Sequence, residues 1–148
     1  MNLKIREAEK RDFDRIEEIL EATNMLNYPE TDGREAMKRI VERMGRYFLV
    51  AEVEEKVVGM IRGSTDGSRP IIYQLSVDPQ FHGRGTGKKL MAELAKRFKE
   101  DGTKTVSVTA RYYTIGYYEK LGFKKLDLHF MLTEDIDRII EKENKPKK

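Results

Sequence analysis

Three glycines stand at every second position in the segment DPQFHGRGTGKKL, residues 78–90. They are Gly83, Gly85 and Gly87, and a helix-like pattern follows them at once. Glycine lets backbone amides approach a ligand without a Cβ atom in the way, and the start of a helix offers unpaired N–H groups and a partial positive charge. The segment therefore predicts a turn that binds a phosphate or a pyrophosphate.

Two common phosphate-binding loops have fixed spacings that this segment does not meet. A Walker-type loop requires glycine at the position of His82, and Ser or Thr at the position of Lys89. The dinucleotide-binding fingerprint requires a third glycine at the position of Lys88. Both of these loop types are excluded by the residues present.

Composition limits the kind of protein in which this turn acts. A length of 148 residues suits a single domain over residues 1–148. The absence of cysteine excludes disulfides and thiolate chemistry, and no apolar run exceeds YFLVA, so we expect a cytoplasmic protein without a signal peptide or membrane partner. The net charge is only +3 although 37% of residues are charged, so we do not expect a nucleic-acid partner.

The pattern of apolar residues predicts an α/β (α+β) domain with a mixed, mostly antiparallel sheet of about seven strands flanked by about four helices. The predicted strands are residues 3–7, 46–53, 57–64, 71–79, 104–110, 123–128 and 129–135. The predicted helices are residues 9–23, a segment around 36–44 that ends at Gly45, a segment around 90–98, and residues 112–121 followed by Gly122 as a cap. A polar tail is expected from about residue 141.

The order of these elements, together with two motifs, resembles the GNAT superfamily of acetyl-CoA-dependent N-acyltransferases from about residue 3 to residue 133. The first motif is Q/R-x-x-G-x-G/A, met by Gln80, Gly83 and Gly85 after the strand YQLSVDP. The second is YYEKLGF, residues 117–123, which is similar to the FYEKLGF sequence after the family's fifth strand. Either motif alone is weak, but their order and their separation by one helix and one strand make the pair specific.

The resemblance implies that acetyl-CoA is the co-substrate and that the glycine turn binds its pyrophosphate. The implied binding residues of the turn are Gln80, His82, Gly83, Arg84, Gly85, Thr86, Gly87 and Lys88. Leu75, Ser76 and Val77 are expected to offer backbone groups to the pantetheine arm, in the opening between the fourth and fifth strands. The N–H of Val77 is the expected donor to the thioester carbonyl oxygen. The glycines alone are also compatible with an ordinary left-handed turn before a helix.

The resemblance also implies that Tyr118 is a general acid that protonates the departing thiolate. The alternative is that Tyr118 is a packed aromatic residue of a short helix, beside Tyr117. The sequence departs from the family pattern at Arg111, where Asn is usual, and at Thr114, where Ala is common. Arg111 cannot accept a hydrogen bond, so the contact of the usual Asn with the pantetheine arm is not expected here.

We expect no dedicated side-chain base. Many relatives are thought to use a glutamate on the fourth or fifth strand, but Gln74 stands where a carboxylate would be placed, and glutamine accepts no proton at working pH. The remaining candidates for a base are Glu52, Asp78 and His129. Two distant histidines, His82 and His129, without cysteine make no metal site, so we expect no metal.

The expected function is the transfer of an acetyl group from acetyl-CoA directly to a primary amine of a small molecule or a protein. An acyl-CoA-binding sensor or interaction module without catalysis is the alternative, and a nucleic-acid binder is a more distant one. The sequence does not identify the acceptor amine and leaves a homodimer open. We expect the segment NMLNYPETDG, residues 24–33, to border the acceptor site.

Overall fold

The computed structural model describes residues 2–144. These residues form two compact units, one that ends at Ala110 and one that begins at Arg111. The expected single domain over residues 1–148 stays a prediction. None of the helices in the described part of the chain has the length and apolar composition that crossing a bilayer requires.

The first unit contains a five-stranded sheet with the strand order β1-β2-β3-β4-β5. The strands are β1 Leu3–Glu7, β2 Phe48–Val53, β3 Lys56–Ser64, β4 Ile71–Val77 and β5 Ser107–Val108. The first four strands pair antiparallel, and β5 pairs parallel to β4. The predicted mixed, mostly antiparallel sheet is confirmed, but the described residues form five strands instead of about seven, and β5 has two residues instead of the seven predicted at 104–110.

Helices cover both faces of this sheet. The first unit contains α1 Phe13–Ala22, α2 Pro29–Asp32, α3 Arg34–Met44 and α4 Thr86–Glu100, with short 3₁₀ turns at Lys10–Asp12, Gly45–Tyr47 and Pro79–Phe81. Met60 on β3 packs in one apolar cluster with Ile16 and Leu20 of α1. A Cβ atom built on the neighbouring Gly59 would lie 3.2 Å from Leu90 of α4. Because consecutive strand residues point to opposite faces, α1 and α4 lie on opposite faces of the sheet.

A two-residue turn joins β2 to β3 in an unusual backbone conformation. Its residues Glu54 and Glu55 have φ angles of +50° and +66°, the left-handed values of a type I′ turn. The turn suits the right-handed twist of the two strands, but Asn and Gly adopt these angles at lower cost than glutamate. The side chains at this turn are therefore not the ones that its backbone favours.

We expect the double substitution Glu54→Asn and Glu55→Gly to raise the free energy of unfolding by about 1 kcal/mol, because both residues then tolerate positive φ. Urea denaturation followed by circular dichroism measures the change. As a control of opposite sign, Glu42→Gly inside the exposed face of α3 should lower the same quantity by about 1 kcal/mol. A double variant no more stable than the parent protein contradicts the prediction.

The second unit contains a 3₁₀ turn at Tyr112–Thr114, α5 Ile115–Lys120 and α6 Asp137–Asn144. The short helix predicted before Gly122 is present, and Gly122 follows it with a φ of +98°, as its predicted capping role requires. The described residues form more helices than the four or so that the sequence predicts, since neither α2 nor α6 was predicted. The helix α6 includes the first four residues of the predicted polar tail, and the rest of that tail, residues 145–148, lies outside the described residues.

The closing strands predicted at residues 123–128 and 129–135 are wrong. The structure assigns no strand to these residues, and their apolar side chains from Leu126 to Leu132 are exposed, from 50% at Leu132 to 87% at Met131. The alternating pattern of this segment expresses a local preference, whereas a strand requires a partner to satisfy its peptide groups. Among the described residues no strand pairs with this segment.

Candidate active site

The glycine turn starts from a fixed point at the end of β4. The N–H of Asp78 donates to the carbonyl oxygen of Val58 on β3 at 2.8 Å, and its carboxylate accepts the N–H of Gln80 at 2.9 Å. The same carboxylate is hydrogen-bonded to Arg15 of α1. The Gln80 N–H, followed by Arg15, holds the pKa of Asp78 below its usual range. Asp78 is therefore a structural anion that shapes the turn.

Two glycines give the turn its path toward α4. Gly83 and Gly85 both have a φ of +79°, which a residue with a Cβ atom adopts only with strain. A Cβ atom built on either glycine meets no other atom within 4 Å, so the space beside both is open. The backbone of the turn is thus accessible from outside.

The helix α4 begins at Thr86 without a side-chain cap. Gly85 is its N-cap residue, and the first described backbone bond back to the turn is from Lys89 N–H to Gly85 O at 3.1 Å. The N–H groups of Thr86, Gly87 and Lys88 precede it, so they have no acceptor within the helix. These groups carry the partial positive charge of the helix start and suit an anionic ligand.

The side chains around the helix start are cationic. The first turn of α4 contains no acidic residue, and Lys88 and Lys89 are both exposed there. The guanidinium of Arg84 lies over the ring of Phe81, with 4.9 Å between its central carbon and the ring centroid. Positive side chains at a helix N-terminus repel the helix dipole. An anion with more than one charge, such as a pyrophosphate, would relieve that repulsion.

His82 is bonded within the protein. Its Nε2 atom lies 2.7 Å from the carbonyl oxygen of Val77. A carbonyl oxygen only accepts, so Nε2 carries the proton and donates it. The ring therefore connects the glycine turn to the last residue of β4, and the expected contact of His82 with coenzyme A stays a prediction.

Alternate residues of β4 present their peptide groups to opposite neighbours, as in any antiparallel pair. Because Asp78 N–H is bonded to β3, the peptide groups of Ser76, two residues earlier, also face β3, where Ser76 pairs with Met60. The Ser76 hydroxyl is buried against Thr23, with 3.1 Å between the two oxygens. Of the three residues expected to contact the pantetheine arm, Ser76 thus has its backbone engaged elsewhere.

The peptide groups of Leu75 and Val77 face the other way, toward the side of β5. In the first unit the pairing of β4 with β5 covers only Ile71 and Ile72 of β4. Leu75 and Val77 lie beyond that pairing, at a strand edge that no described strand of this unit covers, and of their peptide groups the Val77 carbonyl oxygen already accepts from His82. This edge can accept an extended ligand that has amide groups of its own.

Tyr118 lies on α5 in the second unit. Its ring is buried and meets Tyr117 and Phe123 edge to face, at centroid distances of 5.2 and 5.6 Å. Burial, with a smaller contribution from Tyr117, raises the pKa of Tyr118 above its usual value. The phenol therefore keeps its proton at neutral pH. Earlier in this unit, the hydroxyl of Thr114 donates to the carbonyl oxygen of Arg111 at 2.8 Å.

The three carboxylate and imidazole groups considered as bases have different surroundings. Glu52 accepts hydrogen bonds from Arg6 at 3.2 and 3.3 Å, and Asp78 is bonded to Arg15. His129 is exposed in the second unit and is not part of a strand. Among the described residues no group of three metal-ligating side chains is placed to bind an ion.

Two polar residues near β4 were missed by the sequence analysis. Arg62 on β3 and Asp32 at the end of α2 lie 3.5 Å apart, and Gln74 donates to the same Asp32 oxygen at 3.1 Å. The only signal in the sequence was an arginine inside the apolar run VVGMIRGS, residues 57–64. No local pattern connects it to Asp32, thirty positions earlier.

Comparison with known proteins identifies this arrangement. The sequence profile described as an acetyltransferase (GNAT) domain matches residues 17–131. Among solved structures, Ard1 from Thermoplasma volcanium has a TM-score of 0.76 and 24% identity, with 84% of each chain covered. The PaiA N-acetyltransferase from Thermoplasma acidophilum in complex with coenzyme A has a TM-score of 0.76 and 20% identity over 87% of this chain and 94% of that one.

A third similar structure is an aminoglycoside acetyltransferase from an uncultured soil metagenomic sample, in complex with trehalose. It has a TM-score of 0.71 and 26% identity over 90% of this chain and 97% of its own. These structures share the fold with this chain.

Proposed function

This chain belongs to the GNAT acetyltransferase family, and on that premise we propose that it is an N-acetyltransferase that moves an acetyl group from acetyl-CoA directly to a primary amine. The acceptor is a small molecule or an amine of a protein. The single observation that carries the proposal is the start of α4. Its free N–H groups follow two left-handed glycines and are surrounded by cationic side chains, which together favour a pyrophosphate.

The residues of the glycine turn fit the proposed ligand. The N–H groups of residues 83–88 would hold the pyrophosphate, with the charges of Arg84 and Lys88 beside it. Gln80 and His82 precede these residues in the chain, and His82 joins the turn to Val77. We assign the open edge at Leu75 and Val77 to the amides of the pantetheine arm.

Acetyl-CoA, when bound, supplies the acetyl group as a thioester. In our proposal the N–H of Val77 donates to the thioester oxygen and stabilises the negative charge that develops there as the amine nitrogen attacks the carbonyl carbon. A C–N bond forms and the C–S bond breaks. Tyr118 then gives its proton to the departing sulfur, the amine proton leaves to solvent, and Tyr118 regains a proton from solvent.

The test is turnover of acetyl-CoA with a panel of amines, followed by release of free thiol. Amine-dependent thiol release supports the proposed transferase. Tight binding of acetyl-CoA, measured by calorimetry, without thiol release for any amine would favour the acyl-CoA sensor instead. Absence of both binding and turnover would reject coenzyme A as the ligand of the glycine turn.

We further expect the pH dependence of kcat/KM to follow the acceptor amine and no group of the enzyme. The amine must be neutral before it attacks. The Gln80 N–H and Arg15 disfavour proton uptake by Asp78, and the carboxylate of Glu52 is bonded to Arg6. Acceptors of different basicity should therefore shift the profile. We measure this with at least three amines whose pKa values span about two units.

Matched substitutions check the same expectation. Glu52→Gln, Asp78→Asn and His129→Gln remove each candidate base while keeping its approximate shape, and Asp78→Asn retains an oxygen for the Gln80 N–H. Each variant should keep activity within about tenfold, because a true base contributes about a hundredfold or more. A pH profile of kcat/KM whose midpoint is the same for all acceptors, and which is lost in one of these variants, would identify the substituted residue as the base.

A further inference from the structure

Arg62 is a buried cation that its surroundings satisfy only in part. Its side chain is 14% exposed and lies on β3 opposite Gln74 of β4. Its Nη2 atom donates to the carbonyl oxygen of Thr31 at 2.9 Å and lies 3.5 Å from an oxygen of Asp32. Its Nε–H is buried and has no hydrogen-bond partner among the described residues. A buried charged donor without an acceptor is costly and is rarely found without a reason.

Among the residues that the structure describes, Asp32 is the only one with a carboxylate within ion-pair distance of Arg62. The Asp32 oxygens also accept hydrogen bonds from Gln74 Nε2 at 3.1 Å and from the backbone N–H of Tyr28 at 3.1 Å. Burial lowers the pKa of Arg62, and the charge of Asp32 opposes this only in part. The guanidinium therefore has donors and charge left for a further anion.

Arg62 lies opposite a residue of β4 that is close to the open edge at Leu75 and Val77. Gln74, its partner across the strands, is three residues before Val77, which is about 10 Å along an extended strand. On the other side of the Arg62–Gln74 pair, away from Val77, the sheet has a bulge, since Gly63 pairs with Ile72 and leaves Tyr73 as an extra residue. Arg62 is thus placed at the distance of a second functional group of the acceptor, away from the reacting amine.

Tyr73 leaves this guanidinium close to solvent. The ring of Tyr73 is 40% exposed, and its centroid lies 5.7 Å from the central carbon of the Arg62 guanidinium. The segment that Arg62 and Gln74 contact, from Met25 to Asp32, forms the neighbouring wall. The exposed ring is therefore the group that a small ligand would displace to reach the guanidinium.

We propose that Arg62 binds a carboxylate of the acceptor, so that the preferred acceptors are amines with a carboxylate at their other end. This inference deepens the proposed function and rests on it, because it concerns the second end of a molecule whose amine is acetylated. A guanidinium matches a carboxylate with two parallel hydrogen bonds, and partial burial strengthens that pairing. The separation along β4 favours amino acids with the amine several bonds from the carboxylate.

The test compares 6-aminohexanoate with 6-aminohexanamide, two acceptors that differ at the far end and have similar amines. We expect the protein to prefer the carboxylate by at least about tenfold in kcat/KM, mainly through KM. Arg62→Gln should reduce this preference to within about twofold, while the KM for acetyl-CoA stays the same. Arg69→Gln, an exposed arginine in the β3–β4 connection, is the matched control and should keep the preference.

Arg62 also holds the segment around Thr31, so a loss of activity alone would not separate binding from support. A supporting role predicts equal losses for both acceptors, and that result would overturn the proposal. Asp32→Asn gives an effect of opposite sign. Removing the competing carboxylate should raise the preference for 6-aminohexanoate several-fold, whereas a role in support predicts an equal decrease for both acceptors.

Two further measurements keep the test decisive. If Arg62→Gln does not fold, Arg62→Lys keeps the charge without the two-pronged geometry, and should keep a reduced preference. The reaction product N-acetyl-6-aminohexanoate should stabilise the parent protein against heat more than its amide does. Equal stabilisation by the two products overturns the proposal.

Hexylamine, which has no second polar end, separates a failure of the inference about Arg62 from a failure of the transferase proposal. If hexylamine and the amide consume acetyl-CoA but the carboxylate is not preferred, the inference about Arg62 fails and the transferase proposal stands. If no amine consumes acetyl-CoA, the transferase proposal fails, and the inference fails with it.

Discussion

Replacing Gly85 by valine is expected to weaken acetyl-CoA binding by at least about tenfold in a protein that still folds. Gly85 has a φ of +79° and is the N-cap of α4, directly before the free N–H groups of the helix. A side chain here enters open space, since a Cβ atom would meet nothing within 4 Å. The valine branches would therefore occupy the approach to the helix start without disturbing the core.

Calorimetry with acetyl-CoA measures the effect, and Gly67→Val is its matched control. Gly67 lies in the β3–β4 connection with a φ of +97° and equally open surroundings, so valine there has a comparable backbone strain of about 1–2 kcal/mol. Both variants should lose similar stability, but only Gly85→Val should lose affinity. Unchanged affinity in a folded Gly85→Val protein would show that the glycine turn is not the ligand site.

Removing the hydroxyl of Tyr118 is expected to lower kcat by roughly ten- to a thousandfold, the range that one general acid supplies, with little effect on acetyl-CoA binding. Burial raises the pKa of Tyr118, so the phenol keeps its proton at neutral pH and its ionisation should not limit the rate there. Steady-state kinetics of Tyr118→Phe, with binding measured separately, test the expectation.

Tyr117→Phe is the control for this substitution. Tyr117 is the neighbouring residue of α5, its ring meets that of Tyr118 edge to face, and burial raises its pKa as well. It should keep kcat within a few-fold if it is only a packed aromatic. If Tyr117→Phe shows the large loss and Tyr118→Phe does not, the acid has been assigned to the wrong residue. If both variants keep full activity, neither tyrosine donates the proton.

The parts of the fold that the sequence predicted are those with local causes. The alternation of β1, the apolar runs of β2 and β3 and the helical spacing of α1 and α4 are present where expected, because the apolar side chains of these elements are buried or half-buried against neighbours. The closing strands at residues 123–135 have the same alternation but no partner strand among the described residues. Sequence pattern reports what a segment prefers, and pairing decides whether the preference is realised.

The candidate site shows the same division. The left-handed glycines before α4 follow from spacing alone, because no other residue tolerates such angles as readily. The Arg62–Asp32 pair depends on the folding of two distant segments onto one another, which no local pattern encodes. The bond from His82 to Val77 likewise required the structure, since a loop histidine near a phosphate site has many alternatives.

The bulge at Tyr73 matters for the proposed chemistry, because the side to which a peptide group of β4 points depends on whether its residue is an odd or an even number of positions before Asp78. Counted from the bond of Asp78 to Val58, even steps back face β3 and odd steps face the open edge. The extra residue at Tyr73 confines the change of register between β3 and β4 to the beginning of β4. The connection at residues 65–70 is therefore free to change in length. Inserting one residue between Val77 and Asp78 would exchange the roles of Ser76 and Val77, turning the peptide groups of Ser76 toward the open edge and those of Val77 toward β3.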